Sequence, residues 1–341
     1  MKAAVLERRG EFVVRDVPDA GHDGWALVRT RAAGLCGTEL HIIDALFEPP
    51  SYPFIIGHEA AGEVVEAPPG SGLAPGQRVA VYNMIGCGKC RWCRSGNTQI
   101  CTNPIGQLGF TLNGTFADLV AVPPENLVPL PDGVSFEDAA LLSCAGMTAV
   151  HACRLADVAI GQTVVVNGIG GVGLMLVQVA RAAGARVVAV ADADDKAAVA
   201  EQMGADDAIV LGDGGFDAVP DHIRELTGGR GADHFFELVG TSASMAAGIR
   251  GLGRRGTFVS IGYTPEQLSI HPIELILSEA RIVSSVAASL VDLEMAVQFA
   301  ADGRIKTVID ERYPIAEVAE GLDRLRSRTV KGRNVLVWDG D

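Results

Sequence analysis

Residues 163–183 read TVVVNGIGGVGLMLVQVARAA. The run Thr163 to Val166 is β-branched and suits a short buried strand. Gly168-Ile169-Gly170-Gly171-Val172-Gly173 follows, and an apolar helix is predicted from Leu174 to Ala183. Strand, glycine turn and helix in that order are the context G-x-G-x-x-G requires. Gly168 permits the tight turn, Gly170 lets backbone approach a pyrophosphate, and Gly173 lets helix and strand pack closely. The helix start then offers unpaired N–H groups and positive potential to phosphates. A dinucleotide site at Gly168, Gly170, Gly171, Val172 and Gly173 is expected; the bland alternative is a tight turn with no ligand. Asp192 lies nineteen residues beyond Gly173, at the end of the next strand, where a carboxylate can accept both ribose hydroxyls of an adenosine. A 2′-phosphate would meet Asp192, Asp194 and Asp195 with only Lys196 as a nearby base, which favours NAD. Counting back from Gly204 leaves a second possibility, with Ala191 in the ribose-facing slot.

Outward from this turn, short β-branched runs alternate with helical segments: Thr163 to Val166, Arg186 to Val190, Ala208 to Leu211, His234 to Leu238, Thr257 to Ile261 and Arg281 to Val286. Six buried strands separated by helices predict an α/β fold with a doubly wound parallel sheet, over residues 146–287. Residues 1–145 have a different texture. Short alternating runs such as Trp25 to Arg29 and Arg78 to Val81, broken by Pro123-Pro124 and by Pro129 and Pro131, predict small antiparallel strands joined by loops. Residues 288–341, with helical stretches at Leu293 to Ala301 and Ile315 to Leu325 and an apolar run at Asn334 to Trp338, are expected to return to this mostly-β domain.

At 341 residues, two domains are expected. The formal charge of −14, from 28 basic and 42 acidic residues, repels a phosphate backbone, so nucleic acid is not an expected partner. No apolar stretch reaches membrane-spanning length, and Glu7, Arg8 and Arg9 occupy the place where a signal peptide would be apolar. A cytoplasmic protein without a membrane partner is expected, in keeping with its reduced thiols.

Cys87, Cys90, Cys93 and Cys101 form a C-x2-C-x2-C-x7-C run. Thiolates so spaced on a turning backbone converge on one tetrahedral centre, for which zinc is the expected occupant. Disulfides are the rival reading, but seven cysteines is an odd count and ligands so close in sequence rarely form two clean bridges. With all four positions filled by protein such a cage is closed, and its role is structural. Cys36, His58 and Cys144 are ambiguous singly, since a lone cysteine is more often a small core residue. Beside a nucleotide fold they acquire another meaning: two thiolates and one imidazole leave a zinc tetrahedron one position short, as a catalytic site requires.

The Cys36 to His41 segment, Gly57-His58-Glu59, the four-cysteine lobe, Cys144 to Thr148 and the glycine fingerprint together resemble the zinc-dependent alcohol dehydrogenases of the medium-chain dehydrogenase/reductase family, over nearly the whole chain. The resemblance implies a GroES-like mostly-β catalytic domain and a Rossmann domain. It implies that Cys36, His58 and Cys144 hold a catalytic zinc, with Glu59 as a supporting or alternate ligand, so that two Zn2+ ions and NAD are the cofactors. It further implies a proton relay through Thr38 and His41, a contact of Thr148 with the nicotinamide and of Arg333 with the pyrophosphate, an alcohol or carbonyl substrate, and a homo-oligomer, tetrameric by chain length or else dimeric. An arginine so placed is otherwise usually a solvated surface charge. Apolar candidates at Leu46, Phe47, Phe110 and Leu112 lean toward a hydrophobic alcohol. Two rival functions differ in what they need: a zinc-containing NADPH-dependent reductase of activated C=C or C=N bonds, whose relay is commonly altered, and a non-catalytic zinc- and dinucleotide-binding sensor, which needs no relay. Cys153 is expected in the core.

Overall fold

The computed structural model describes residues 1–338 and divides the chain into two compact units, Thr148–Ala287 and the remainder on either side of it. In Thr148–Ala287, six strands lie in the order Asp207–Val210, Arg186–Ala191, Thr163–Asn167, Ala232–Glu237, Leu252–Ser260 and Arg281–Ser284. Every neighbouring pair is parallel. Counted along the chain the order is third, second, first, fourth, fifth, sixth, so the direction of winding reverses between Thr163–Asn167 and Ala232–Glu237. Crevices outside the carboxyl ends of strands at such a reversal are where this architecture binds ligands. Thr163–Asn167 is buried throughout, which is why it reads as an unbroken apolar run and does not alternate. Val165, Val188, Val190, Phe235 and Phe258 form the core, with the rings of Phe235 and Phe258 stacked 6.0 Å apart. Each such side chain contributes about 1.5–3 kcal/mol by burial.

The other unit is built on a seven-stranded sheet in the order Leu127–Pro129, Arg78–Val81, Ala61–Glu66, Ala26–Leu35, Arg333–Val337 and Ile309–Pro314, with Leu119–Val122 also paired to Ala26–Leu35. Arg333–Val337 lies antiparallel to Ala26–Leu35, with Asn334 opposite Leu35. That register sets Arg333 beside the strand end where Cys36 follows. A three-stranded sheet of Glu11–Asp16, Lys2–Arg8 and Phe54–Ile55, and a ribbon of Met84–Ile85 with Gly106–Gln107, complete the β structure. Among the described residues, no helix is long and apolar enough to cross a membrane.

Candidate metal centres and dinucleotide site

The four-cysteine run leaves the ribbon at Ile85 and returns to it at Gly106, so its ends are tied together. Between them the backbone turns through the short helix Arg91–Arg94, which Cys90 caps. Cys90 Sγ lies 3.6 Å from Cys93 Sγ and 3.7 Å from Cys101 Sγ, and Cys101 Sγ lies 3.5 Å from Cys87 Sγ. A disulfide needs about 2.05 Å. Tetrahedral ligands at a Zn–S distance of about 2.3 Å stand about 3.8 Å from one another, close to the observed spacing. Backbone amides of Cys87, Cys90 and Cys93 donate to the sulfurs of Cys101, Cys87 and Cys90. The Cys93 amide, with a second backbone bond from Thr102, holds the Cys90 thiol down at about 5, whereas burial and the neighbouring sulfurs push Cys93 up to about 12. These residues fit a closed thiolate cage for zinc.

Three separate stretches build the second centre. Strand Ala26–Leu35 delivers Cys36, which starts the helix Gly37–Ile43. The chain following Phe54–Ile55 delivers His58 and Glu59 through Gly57, where a Cβ would lie 2.3 Å from the Phe116 ring, so no larger residue fits. Cys144 comes from the π-helical turn Leu142–Gly146, a geometry that recurs at functional sites. The ligand atoms of Cys36, His58, Glu59 and Cys144 all lie within 4.8 Å of one another. His58 Nε2 is 3.4 Å from Cys144 Sγ and 3.7 Å from Glu59 Oε1. Both Glu59 oxygens are buried without a hydrogen bond, although the Arg333 guanidinium stands 3.1 Å from Oε1. Contact with Cys144, then the charges of Arg333 and His58, hold the Cys36 thiol well below its ordinary value, while Cys36 and burial push Cys144 well above. Burial raises Glu59 to about 7. Two sulfurs, an imidazole and a carboxylate with orphaned oxygens are the donor set of a divalent cation, and the site fits zinc.

Sequence reasoning passed over Glu39. Its carboxylate is fully buried; Oε1 meets His58 Nδ1 at 2.5 Å, and Oε2 accepts from the Cys36 amide at 2.9 Å. It therefore fixes the ring whose other nitrogen faces the thiols, and the backbone of Cys36 as well. The available signal was its place in the first turn of a helix opened by a candidate ligand.

At the glycine turn each expected role has a measurable counterpart. Gly168 has φ +104°, outside the range of ordinary side chains. A Cβ at Gly170 would meet nothing within 4 Å, so the backbone faces open space, whereas one at Gly173 would lie 2.1 Å from Gly168 O. Helix Gly171–Ala182 starts there. Asp192 immediately follows strand Arg186–Ala191; its carboxylate is 48% exposed and pairs with Lys196 at 2.9 Å.

The comparisons with known proteins agree over the whole chain. Residues 22–132 match the alcohol dehydrogenase GroES-like domain and residues 171–302 the zinc-binding dehydrogenase domain. An alcohol dehydrogenase from Geobacillus stearothermophilus is 35% identical over 99% of this chain and 100% of its own. The chain belongs to the zinc-type medium-chain alcohol dehydrogenases. Among other family members, an NAD-dependent alcohol dehydrogenase from Sulfolobus acidocaldarius is 31% identical over 98% of this chain and 99% of its own. The crystal structure of the enzyme from Aeropyrum pernix superposes with a TM-score of 0.92 at 30% identity, covering 99% of this chain and 100% of that one.

In this family member Thr38 Oγ1 lies 3.6 Å from Cys36 Sγ, and His41, partly exposed, follows on the same face of helix Gly37–Ile43. Phe110 presents its ring edge-on to His58 at 5.6 Å, and Phe47 lies 6.3 Å from Phe110. Leu46 is exposed, while Leu112 packs over Gly106 and the Val79–Val81 core. Thr148 is buried in helix Met147–Leu155. Arg333, expected either at a phosphate or in solvent, is buried; it donates to Leu35 O at 3.0 Å and pairs with Glu59. Cys153 is buried, and that burial pushes its thiol up to about 12.

Proposed function

We propose that the protein interconverts an alcohol and its aldehyde or ketone by hydride transfer, with NAD as carrier and two zinc ions per chain, one at each cysteine cluster. The observation that carries this reading is the convergence of Cys36, His58, Glu59 and Cys144 within 4.8 Å, with the Thr38 hydroxyl beside Cys36. Cys36, His58 and Cys144 would hold the catalytic ion, with Glu59, paired to Arg333, as an alternate ligand. Zinc, when bound, is a Lewis acid that polarises a substrate oxygen and lowers the pKa of an alcohol. NAD, when bound, supplies the carbon that accepts hydride.

The chain's own residues do the rest. Glu39 keeps His58 in the tautomer whose Nε2 is a ligand. Thr38 takes the proton from a substrate oxygen beside Cys36, and His41, one turn further along the same helix, hands it to solvent. Gly168 to Gly173 seat the pyrophosphate, Asp192 accepts the ribose hydroxyls, and Thr148 contacts the nicotinamide. Arg333, buried against Leu35 O and the Glu59 carboxylate, serves as the counter-charge to that carboxylate. Phe47 and Phe110 favour an apolar alcohol. The same reading takes the protein as a cytoplasmic homotetramer.

A screen of alcohols and carbonyl compounds with NAD and NADP, read by NADH or NADPH absorbance, tests this. The highest kcat/KM is expected for an apolar alcohol with NAD. Inactivity toward every alcohol, together with reduction of an activated C=C bond by NADPH, would assign the site to the rival reaction, and a tight dinucleotide complex with no turnover would assign it to the sensor.

A further inference from the structure

One buried carboxylate belongs to neither metal centre. Glu237 ends strand Ala232–Glu237, is 0% exposed, and lies opposite Asn167 at the pair of strands where the winding reverses. Its Oε2 accepts from Asn167 Nδ2 at 2.8 Å. Its Oε1 accepts from the amides of Val239 and Gly240 at 2.7 and 2.8 Å and from Ser244 Oγ at 3.1 Å. An ionised carboxylate only accepts, and all four partners are donors. Its backbone carbonyl takes two further amides, those of Ile261 and Gly262, from the end of the next strand. Three strand ends therefore meet at this residue.

The segment it gathers touches the glycine turn. Leu238 N donates to Asn167 O at 3.0 Å, and a Cβ at Gly168 would stand 3.2 Å from both Leu238 Cβ and Val239 Cγ2. A Cβ at Gly173 would stand 3.3 Å from Leu238 Cδ1. Burying a carboxylate costs several kcal/mol unless its acceptors are filled. Here two of the four donors are amides of the loop that walls the turn, so the charge sets the direction of that loop.

We infer that Glu237 is a positioning residue of the dinucleotide site: its carboxylate pins residues 238–240 as the wall against which the Gly168 turn is seated. The inference rests on the reading that this turn holds NAD.

The test measures equilibrium dissociation constants for NAD and ADP-ribose in the full chain, together with hydrogen–deuterium exchange over residues 168–173 and 238–240. Glu237→Ala should weaken both ligands about tenfold or more, the scale of losing buried hydrogen bonds, and speed exchange in both segments with zinc content unchanged. Glu237→Gln should stay within about threefold, because its carbonyl oxygen keeps three donors and the Asn167 amide can turn to face the new NH2. A folded Glu237→Ala protein with unaltered dissociation constants and unaltered exchange at 168–173 overturns the inference. Should that variant not fold, Ser244→Ala and Asn167→Ala each remove one donor and should weaken NAD by about two- to fivefold; no change in either overturns it. If the unaltered protein binds neither NAD nor NADP, the functional reading of the turn fails, while the exchange comparison, which needs no nucleotide, still decides whether Glu237 seats it.

Discussion

Glu39 shows how much of a metal centre hangs on a residue that is not a ligand. Its two oxygens span Cys36 and His58, twenty-two residues apart, and both contacts are lost together in Glu39→Ala. Competition with a chelator should show zinc affinity at the Cys36 centre reduced about 10–100-fold, with the four-cysteine site unaffected. Arg333 makes a different kind of contact, as the buried cation beside Glu59. Arg333→Leu leaves that carboxylate uncompensated and should cost about 3–5 kcal/mol in unfolding measurements. The sequence made Cys36, His58 and Cys144 recognisable, because two sulfurs and an imidazole suit zinc. It could not disclose that Glu39 and Arg333 join them: a carboxylate in a first helical turn and an arginine beside Gly332 have ordinary local explanations, and only strand register brings them to the site.

The glycine turn is an element whose strand and helix are held close by an absent side chain. In Gly173→Ala the new methyl would have to occupy space 2.1 Å from Gly168 O. Strand and helix must separate, so NAD titration should show at least about tenfold weaker binding and melting about 1–3 kcal/mol lower stability. The inner strands of this sheet were legible because a parallel sheet covered on both faces demands apolar runs, whereas the edge strand Arg281–Ser284, expected to be buried, is mostly exposed. Where burial lapses, so does legibility. Leu252–Ser260 begins well before the apolar run at Thr257, since Arg254 and Arg255 are exposed and Arg255 takes φ +60°. Ala26–Leu35 likewise continues beyond Arg29 through partly exposed Arg31 into alanines and glycine, which carry no strand signature of their own.

For the molecule as a whole, the two cysteine clusters separate support from chemistry. Metal analysis should give two zinc ions per chain, falling to one in Cys87→Ser. That variant should lose cooperativity of unfolding in the lobe yet retain NAD affinity, because the lobe and the Gly168 turn belong to different compact units. Acidification should strip both sites, since a thiol must lose its proton to bind zinc. The four-cysteine cluster was plain from spacing alone; the other draws its ligands from distant stretches, and its completeness became visible only with the fold.

The strand Arg333–Val337 lies inside the seven-stranded sheet, paired on both sides, and Arg333 reaches back 298 residues to Leu35. During synthesis, which runs from the amino end, Ala26–Leu35 emerges well before its neighbour Arg333–Val337 and must wait for it. The six-stranded unit between them has all its strands by Ser284 and can fold in the interval. The sheet around Ala26–Leu35 thus starts before the six-stranded unit and is finished after it, and a nascent chain halted before Arg333 should already bind dinucleotide while its Cys36 centre still lacks its buried cation.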